Sequence, residues 1–272
     1  MPADPYALYY IVGAALFGLL LGSFLNVCIY RIPRDLSVIS PRSFCPECGS
    51  RIAWYDNIPV LSYVFLRGEC RSCGKVIGLR YPAVELAMAG AYTVVAIRYG
   101  WTLAALKWMI FEALVIALFW TDLEERILPD ELTLGGTAVG LILAAFVQVP
   151  GGFAGLFWPW RSAWRSIADA TVAAMLLTGP IWLVGKLYER VRKREALGLG
   201  DVKLLLLFGV FLGLENGLMA LLIGALSGSV IGLIYIFATR KKVSETELPF
   251  GSFLCAGAAF LPLVRNFGLD VL

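Results

Sequence analysis

Long apolar stretches recur along almost the whole chain of 272 residues, and most approach the ~20 residues that a helix needs to cross a bilayer. Polar positions are confined to short breaks between these stretches and to one longer segment, residues 31–82. The pattern predicts eight membrane-spanning helices without an internal repeat. The predicted spans are 6–30, 83–100, 103–122, 131–149, 168–188, 201–215, 217–238 and 250–266.

Composition agrees with this interpretation. Apolar residues make up 59% of the chain and charged residues 16%, with a mean hydropathy of +0.77, whereas a soluble domain carries about a quarter charged residues. The first stretch is too long for a signal peptide and has no basic n-region, so it is predicted to be a retained helix. We therefore expect an all-α polytopic membrane protein. The sixth span is short, and Glu215-Asn216 is interpreted as a tight turn before the seventh.

Basic residues are concentrated on one predicted face of the membrane. Eight lie between Arg31 and Arg80, five within 186–195 and three within 240–242. With eight spans, all of these segments fall on the same side. The positive-inside rule then places the 31–82 loop in the cytoplasm and both termini on the outer face.

The loop carries two Cys-x-x-Cys pairs, each followed by a glycine that suits a tight turn. The cysteines are Cys45, Cys48, Cys70 and Cys73. Two such pairs can complete a closed tetrahedral zinc site, which would hold the fold of a small zinc-ribbon-like loop and leave no open position for catalysis. An unmetallated or redox-active set is the alternative. Cys28 and Cys255 lie in apolar spans and are predicted to be packing residues.

Two aspartates lie at the predicted cytoplasmic boundary of different spans. Asp122 ends the third span, and Asp201 opens the sixth within GLGDVKLLLLFG. Ionisable groups at membrane depth are functional candidates. If their helices pack side by side, the two carboxylates would share a proton and activate a water, one as base and the other as acid. Gly198 and Gly200 would let the backbone approach this site closely.

A structural interpretation of these acids competes with the catalytic one. Asp201 sits where a helix-capping residue would, whereas Asp122 falls at a helix C-terminus, where a negative charge opposes the dipole. Asp130 is interpreted as an N-cap of the fourth span. Lys203 would either tune Asp201 electrostatically or extend to the interface. Glu112 lies within the third span and requires a polar partner.

The absence of certain residues narrows the chemistry. The chain has no histidine, which excludes a Ser-His-Asp triad, a Cys-His pair and an H-E-x-x-H metalloprotease site. It also has no glycine-rich dinucleotide fingerprint and no phosphate-binding loop. Hydrolysis by paired aspartates remains compatible with the sequence, as does Ser-Lys chemistry, for which no residue pair stands out.

Several segments, in order, resemble the type IV prepilin peptidases, a group of GxGD intramembrane aspartyl proteases. GLGD at 198–201 resembles the G-x-G-D motif, and the 121–133 segment resembles the region of the first catalytic aspartate. The other matching segments are GSFLNVCIYRIP (22–33), CPEC (45–48), NIPVLSY (57–63), LRGECRSC (66–73), RYPAVE (80–85) and PFGSFLCAGA (249–258).

The resemblance implies that Asp122 and Asp201 are the catalytic dyad, which removes the short basic leader from prepilins or from prepilin-like proteins of type II secretion. It also implies a second activity, N-methylation of the new N-terminus with S-adenosylmethionine, with peptidase activity alone as the alternative. The implied divisions are a first helix (1–30), a cytoplasmic tetracysteine loop (31–82) and a protease core (83–272). Glu85 is a candidate for a role near the loop.

The implied location is the bacterial inner membrane. The implied partners are the lipid bilayer and a prepilin or pseudopilin substrate, with no nucleic acid. Two other classes compete with the peptidase. A transporter would favour midplane acids and inverted repeats, neither of which the sequence shows. A membrane scaffold would tolerate Asp→Asn at both sites, whereas a protease would lose activity with either change.

Overall fold

The computed structural model describes residues 6–150, 152, 162–193, 198–239 and 248–264. Within these ranges the regular structure is helical, apart from two isolated bridges. The α-helices are α1 (Ala7–Arg31), α2 (Leu61–Phe65), α3 (Arg80–Tyr99), α4 (Leu103–Glu125), α5 (Asp130–Ala144), α6 (Ala163–Arg192), α7 (Leu199–Thr239) and α8 (Phe250–Val264). The basic run at 240–242 and the C-terminal end of the chain lie outside the described residues.

Four of the described segments are long and apolar enough to cross a membrane, namely α1 with its 3₁₀ extension to Arg34, α4, α6 and α7. α8 is a shorter apolar helix. These observations confirm the predicted all-α, multi-span class. The predicted number of eight spans is not confirmed, because α3 and α5 do not meet the same criteria of length and hydropathy.

The chain divides into two compact units, residues 1–105 and 106–272. In unit 1, α1 and α3 pack antiparallel at very close range, because a Cβ added to Gly18 would lie 2.7 Å from the Met88 carbonyl oxygen. One helical turn further along, a Cβ added to Gly22 would lie 2.7 Å from the Cα of Glu85. Small residues four apart allow helix backbones to approach in this way.

Unit 2 is organised around the first part of α7. The segment from Val202 to Leu212 is almost entirely apolar, and most of its residues are buried. A helix that is apolar on all sides is expected to lie at the centre of its domain. Gly209 allows α6 to pack directly on it, since a Cβ there would collide with the backbone of Ala174.

The helix α7 is interrupted once, at Gly213. This residue has φ 74° and ψ 179°, a backbone conformation that favours glycine. A side chain there would collide with the carbonyl oxygen of Pro150. The sequence predicts a turn at Glu215-Asn216, whereas the break in the structure lies slightly earlier, at Gly213. Glycine takes this position because it adopts the conformation without the strain that a Cβ would cause.

Candidate active site and metal centre

Asp122 lies in the last turn of α4, and its side chain is buried. Its Oδ2 accepts a hydrogen bond from the backbone N–H of Ser252 at 2.6 Å. The Ser252 hydroxyl lies 2.9 Å from the same oxygen and 2.9 Å from the carbonyl oxygen of Phe119. The first turn of α8 therefore holds the carboxylate with N–H and O–H donors.

Asp201 lies in the first turn of α7 and is half-buried. Its carboxylate is close enough to Asp122 for their charges to interact. The buried Cys255, one turn beyond Ser252 on α8, interacts electrostatically with both aspartates. The structure thus brings the two predicted aspartates together from different helices.

Leu128 connects the elements around the two aspartates. A Cβ added to Gly200 would lie 3.2 Å from the Cβ of Leu128, and one added to Gly251 would lie 3.0 Å from its Cδ1. Gly251 also has no room for a side chain against Asp122, whose Cγ would be 3.1 Å away. Glycines at these positions allow α7 and α8 to begin next to the end of α4.

The glycine before the turn has a related role. A Cβ added to Gly198 would lie 3.4 Å from the Oδ2 of Asp201, which is ordinary van der Waals contact. The backbone N–H of Asp201 donates to the Gly198 carbonyl oxygen at 3.1 Å. Among the described residues, no donor caps the Asp201 carboxylate, so the geometry gives no support to a capping role.

Two neighbouring predictions need correction. Lys203 donates to Asp130 Oδ1 at 2.6 Å, so its ammonium pairs with that residue rather than with Asp201. Asp130 is the first residue of α5, with Pro129 at the N-cap position and no side-chain cap bond. Its carboxylate binds the lysine of α7 because both groups point outward at the ends of adjacent helices.

Ser252 was missed by sequence reasoning. Its segment, PFGSFLCAGA, contributed to the family resemblance, but no role was assigned to the serine. The signal in the sequence that could have identified it is a polar side chain in the first turn of an apolar helix, directly after glycine. The predicted partner of Glu112 is also absent within the described chain, where its buried Oε1 has no hydrogen bond.

The four cysteines of the loop converge in unit 1. Their sulfur atoms all lie within 4.8 Å of one another, and Cys45 Sγ is 4.0 Å from Cys73 Sγ. Tetrahedral zinc with ~2.3 Å bonds separates sulfurs by about 3.8 Å. The donor set and its geometry therefore fit a structural zinc ion.

Both cysteine turns have the same local construction. The Cys45 N–H donates to Ser50 O and the Cys70 N–H to Lys75 O, each at 2.9 Å. Gly49 and Gly74 take positive φ values of 70° and 68°. Donors in these turns favour thiolates, the form that binds metal, at Cys48 and Cys70. At Cys73 a backbone hydrogen bond at Lys75 is outweighed by desolvation and by hydrogen bonds with the other cysteines, which raise the pKa of Cys73 to about 12. Hydrogen bonds from Ser50 lower the pKa of Cys48 to about 6, and backbone donors at Cys73 and Ser72 lower the pKa of Cys70.

Comparisons with known proteins cover both units. A family model described as "Bacterial Peptidase A24 N-terminal domain" matches residues 16–99, and one described as "Type IV leader peptidase family" matches residues 109–233. No solved structure matches the chain significantly.

Curated relatives of the chain carry the name prepilin leader peptidase/N-methyltransferase. The protein from Pseudomonas putida is 34% identical over 90% of this chain and 88% of its own length. The one from Legionella pneumophila is 34% identical over 92% and 89%. The one from Myxococcus xanthus is 37% identical over 85% of this chain, which spans only 64% of that relative.

Proposed function

Because the chain belongs to the type IV leader peptidase family, we propose that it is an intramembrane aspartyl endopeptidase. It removes the short basic leader from type IV prepilins or from prepilin-like proteins of type II secretion, and then N-methylates the new N-terminus. The observation that carries the peptidase assignment is the approach of Asp122 and Asp201 from two different helices. Neither the transporter nor the scaffold alternative is favoured by this family.

The contacts of the two aspartates suggest their separate roles. Asp122 accepts hydrogen bonds on Oδ2, which stabilise its charged form, so it acts as the base. Asp201 has no such donor among the described residues and carries the shared proton, so it acts as the acid. Asp122 removes a proton from water as the oxygen attacks the scissile carbonyl, and Asp201 protonates the carbonyl oxygen.

Collapse of the tetrahedral intermediate then breaks the bond between carbon and nitrogen. The proton held by Asp122 passes to the leaving nitrogen, which becomes the new N-terminal amine of the pilin. The second carboxylate takes back the proton from the intermediate's hydroxyl, and the dyad is ready for another water. Among the described residues only the Asp201 carboxylate lies close to Gly198, which leaves room for an extended substrate strand beside the acids.

The same proposal includes about eight spans, with the 31–82 loop in the cytoplasm and both termini outside. Two observations support it. The basic residues cluster in segments that eight spans would place on one side. The break at Gly213 also divides the 41-residue α7 into two segments, each of which could cross part or all of the bilayer.

Zinc is the proposed metal of the four cysteines. The ion would be held by the Cys45, Cys48, Cys70 and Cys73 sulfurs and would supply folding stability, without a reactive position. S-adenosylmethionine is the proposed methyl donor, because the printed names of the relatives include N-methyltransferase.

The test is mass spectrometry of a prepilin-type substrate incubated with the purified full-length protein and S-adenosylmethionine. Asp122→Asn and Asp201→Asn should each reduce leader removal at least about a thousandfold, because a dyad cannot work with one acid. Asp130→Asn is the matched control, a nearby aspartate that pairs with Lys203, and it should retain activity within about threefold. Leader removal that survives both dyad substitutions would refute the peptidase site.

A further inference from the structure

The short helix α2 presents its apolar side chains outward and a polar one inward. Leu61, Val64 and Phe65 lie on one face, at positions i, i+3 and i+4, and are 55%, 64% and 82% exposed. Ser62 points the other way and is only 8% exposed. A surface helix of a soluble domain has the reverse arrangement, with its apolar stripe against the core. The orientation of α2 therefore indicates an apolar environment outside the protein.

Hydrogen bonds on the inner side of α2 fix this orientation. The Ser62 hydroxyl donates to the carbonyl oxygen of Tyr55 at 2.8 Å and accepts the N–H of Ile58 at 3.0 Å. The Tyr63 hydroxyl donates to the carbonyl oxygen of Ile77 at 3.3 Å. Ser62 and Tyr63 also line a cavity of about 260 Å³, bounded by the loop and by the adjoining ends of α1 and α3, whereas none of the three outward side chains lines it. Turning α2 to bury its apolar face would break these bonds.

The start of α2 is held against α3 by Glu85. Its Oε2 accepts the N–H of Val60, the residue before α2, at 2.7 Å. Val60 has φ 60° and ψ −48°, and the Leu61 N–H donates to the Pro59 carbonyl oxygen at 2.6 Å. This is a γ-turn with positive φ, which is rare and strained, all the more with a β-branched residue at its centre. The carboxylate thus fixes both the position of α2 and the direction in which it begins.

Arginine–tyrosine pairs lie at the ends of α1 and α3 nearest the loop. The guanidinium carbon of Arg34 lies 4.4 Å from the ring centroid of Tyr30, and that of Arg80 lies 4.6 Å from the ring centroid of Tyr81. Basic and tyrosine side chains at the end of a membrane helix are typical of the lipid headgroup level. Because α1 is long and apolar enough to cross a membrane, the two pairs indicate where α1 and its partner α3 leave the bilayer.

The contact with Glu85 holds α2 close to this level. Glu85 follows Arg80 by five residues, which is about 7.5 Å along the axis of α3. Interfacial helices bury their apolar faces to a similar depth, roughly 5–10 Å. The exposed Trp54 precedes α2, with its ring centroid 5.7 Å from that of Tyr55, and tryptophan and tyrosine concentrate at membrane interfaces. The level of α2 therefore matches the boundary between headgroups and acyl chains.

The charge of the loop also matches a lipid surface. Residues 31–82 contain eight basic and four acidic residues. α2 itself has no charged side chain, and the exposed Arg67 follows it after one residue. Anionic headgroups attract basic segments that lie near the membrane surface. An apolar face next to a basic side chain, beside helices that enter the bilayer, is the pattern of an interfacial helix.

We propose that α2 anchors the loop in the membrane, with Leu61, Val64 and Phe65 inserted among the acyl chains of the adjacent leaflet and Arg67 at anionic headgroups. The anchor holds the cysteine turns at a fixed height above the bilayer. Insertion requires only that α1 spans the membrane. The proposed topology makes the leaflet the cytoplasmic one, but lipid contact would be detected in either leaflet.

The first test detects lipid contact by photocrosslinking. Full-length protein carrying Phe65→p-benzoylphenylalanine is placed in nanodiscs of phosphatidylcholine and phosphatidylglycerol, irradiated, and analysed by mass spectrometry. Position 65 should form a phospholipid adduct. Ser72→p-benzoylphenylalanine is the matched control, because this exposed residue lies in the polar second cysteine turn, and its adduct should be about tenfold less abundant. Equal yields at the two positions would overturn the proposal.

A second test uses the protein without substitutions. The nanodiscs contain a phospholipid with a diazirine on its acyl chain, which labels side chains that contact the lipid interior. Peptides containing residues 61–65 should be labelled together with those of α1, whereas peptides covering residues 43–51 should not. Label in α1 without label in residues 61–65 would refute insertion of α2.

Adding a prepilin-type substrate distinguishes a lipid partner from a protein partner. A phospholipid adduct at position 65 that persists with the substrate present supports the anchor. A crosslink to the substrate in place of the lipid would overturn the proposal and assign this face to substrate docking. Leader removal is measured on nanodiscs with the wild-type protein. Lipid adducts without leader removal would leave the anchor intact and refute the proposed peptidase alone.

Discussion

Each unit of the molecule holds a buried carboxylate that accepts a backbone N–H, but different kinds of backbone present that N–H. Asp122 accepts it from Ser252, in the first turn of an ordinary α-helix. Glu85 accepts it from Val60, at the centre of a strained γ-turn. Helix N-termini stabilise anions without special strain, whereas the γ-turn exists only because the surrounding loop enforces it.

The two carboxylates also differ in what they face. Asp122 faces a second carboxylate, that of Asp201, and such a pair resolves its repulsion by sharing a proton. Glu85 lines a cavity together with Asn26, and its carboxylate is held by the Val60 N–H and the Ser23 hydroxyl. The comparison indicates that the first site contains its own proton chemistry, whereas the second holds its carboxylate by hydrogen bonds alone.

The largest expected difference between the two units is in their response to loss of the metal. Removing zinc with a chelator, or substituting Cys73→Ser, should lower the calorimetric unfolding midpoint of the cysteine loop, because the four converging thiolates would gain their folding stability from the metal. Leader removal should change less than about threefold, since the aspartates belong to unit 2. Calorimetry and mass spectrometry on one sample measure both. Loss of leader removal in parallel with the loss of loop stability would break the comparison.

A smaller effect is expected at the serine that holds Asp122. Ser252→Ala removes the O–H donor and keeps the backbone N–H, so kcat for leader removal should fall about tenfold with KM unchanged. Ser227→Ala is the control, because that hydroxyl donates to a carbonyl oxygen within its own helix. A rise in KM with constant kcat would assign Ser252 to substrate binding instead.

At the strained turn, substitution to glycine is expected to stabilise the protein, whereas glycine usually destabilises a folded chain. Val60→Gly should stabilise the protein by about 1 kcal/mol, because glycine adopts positive φ without strain. Val64→Gly, in the exposed part of α2, should destabilise it by about 1 kcal/mol. Thermal unfolding in detergent compares the two midpoints. A lower midpoint for both variants would show that the γ-turn stores no strain.

The smallest effect is the pH dependence of the loop. The hydrogen bonds and charge of Arg71 hold the pKa of Asp56 below its usual value. A carboxyl whose pKa is lower in the folded chain contributes stability above its unfolded pKa, about 3.9, and this contribution is lost as pH falls through the folded pKa. The unfolding midpoint of Arg71→Gln should therefore lie below that of the wild type above about pH 5. The difference should shrink steadily as the pH is lowered below that range, and a constant difference would contradict the ion-pair explanation.

The sequence predicted the helices well because apolar runs dictate them. The predicted helix ends agree with the structure within a few residues for most elements. The interruption of α7 at Gly213 lies just before the turn predicted at Glu215-Asn216. The convergence of the four cysteines was also predictable, since their spacing determines the local turns. Whether α3 and α5 cross the membrane depends on features other than hydropathy, and the number of spans stays a prediction.

The side-chain partners of the site were less predictable. Lys203 was expected either to tune Asp201 or to extend to the interface. Residues two apart on a helix point to different sides, and the lysine pairs with the exposed Asp130. The roles of Ser252 and Val60 depend on which backbone N–H groups remain available after the helices pack. Neither composition nor periodicity reveals this. The roles assigned to Asp122, Asp201 and the cysteines stay predictions.

The short helix α5 has a consequence for the lipid around the aspartates. It contains 15 residues, so it is about 22 Å long, whereas the hydrocarbon core of a bilayer measures about 30 Å. Its exposed face includes Leu134, Val139 and Ile142. If α5 crosses the membrane, the bilayer beside it must thin by several ångströms. The rate of leader removal should then depend on the acyl-chain length of the lipids. Short-chain lipids would relieve the elastic deformation of the bilayer next to the site where the pilin is cut.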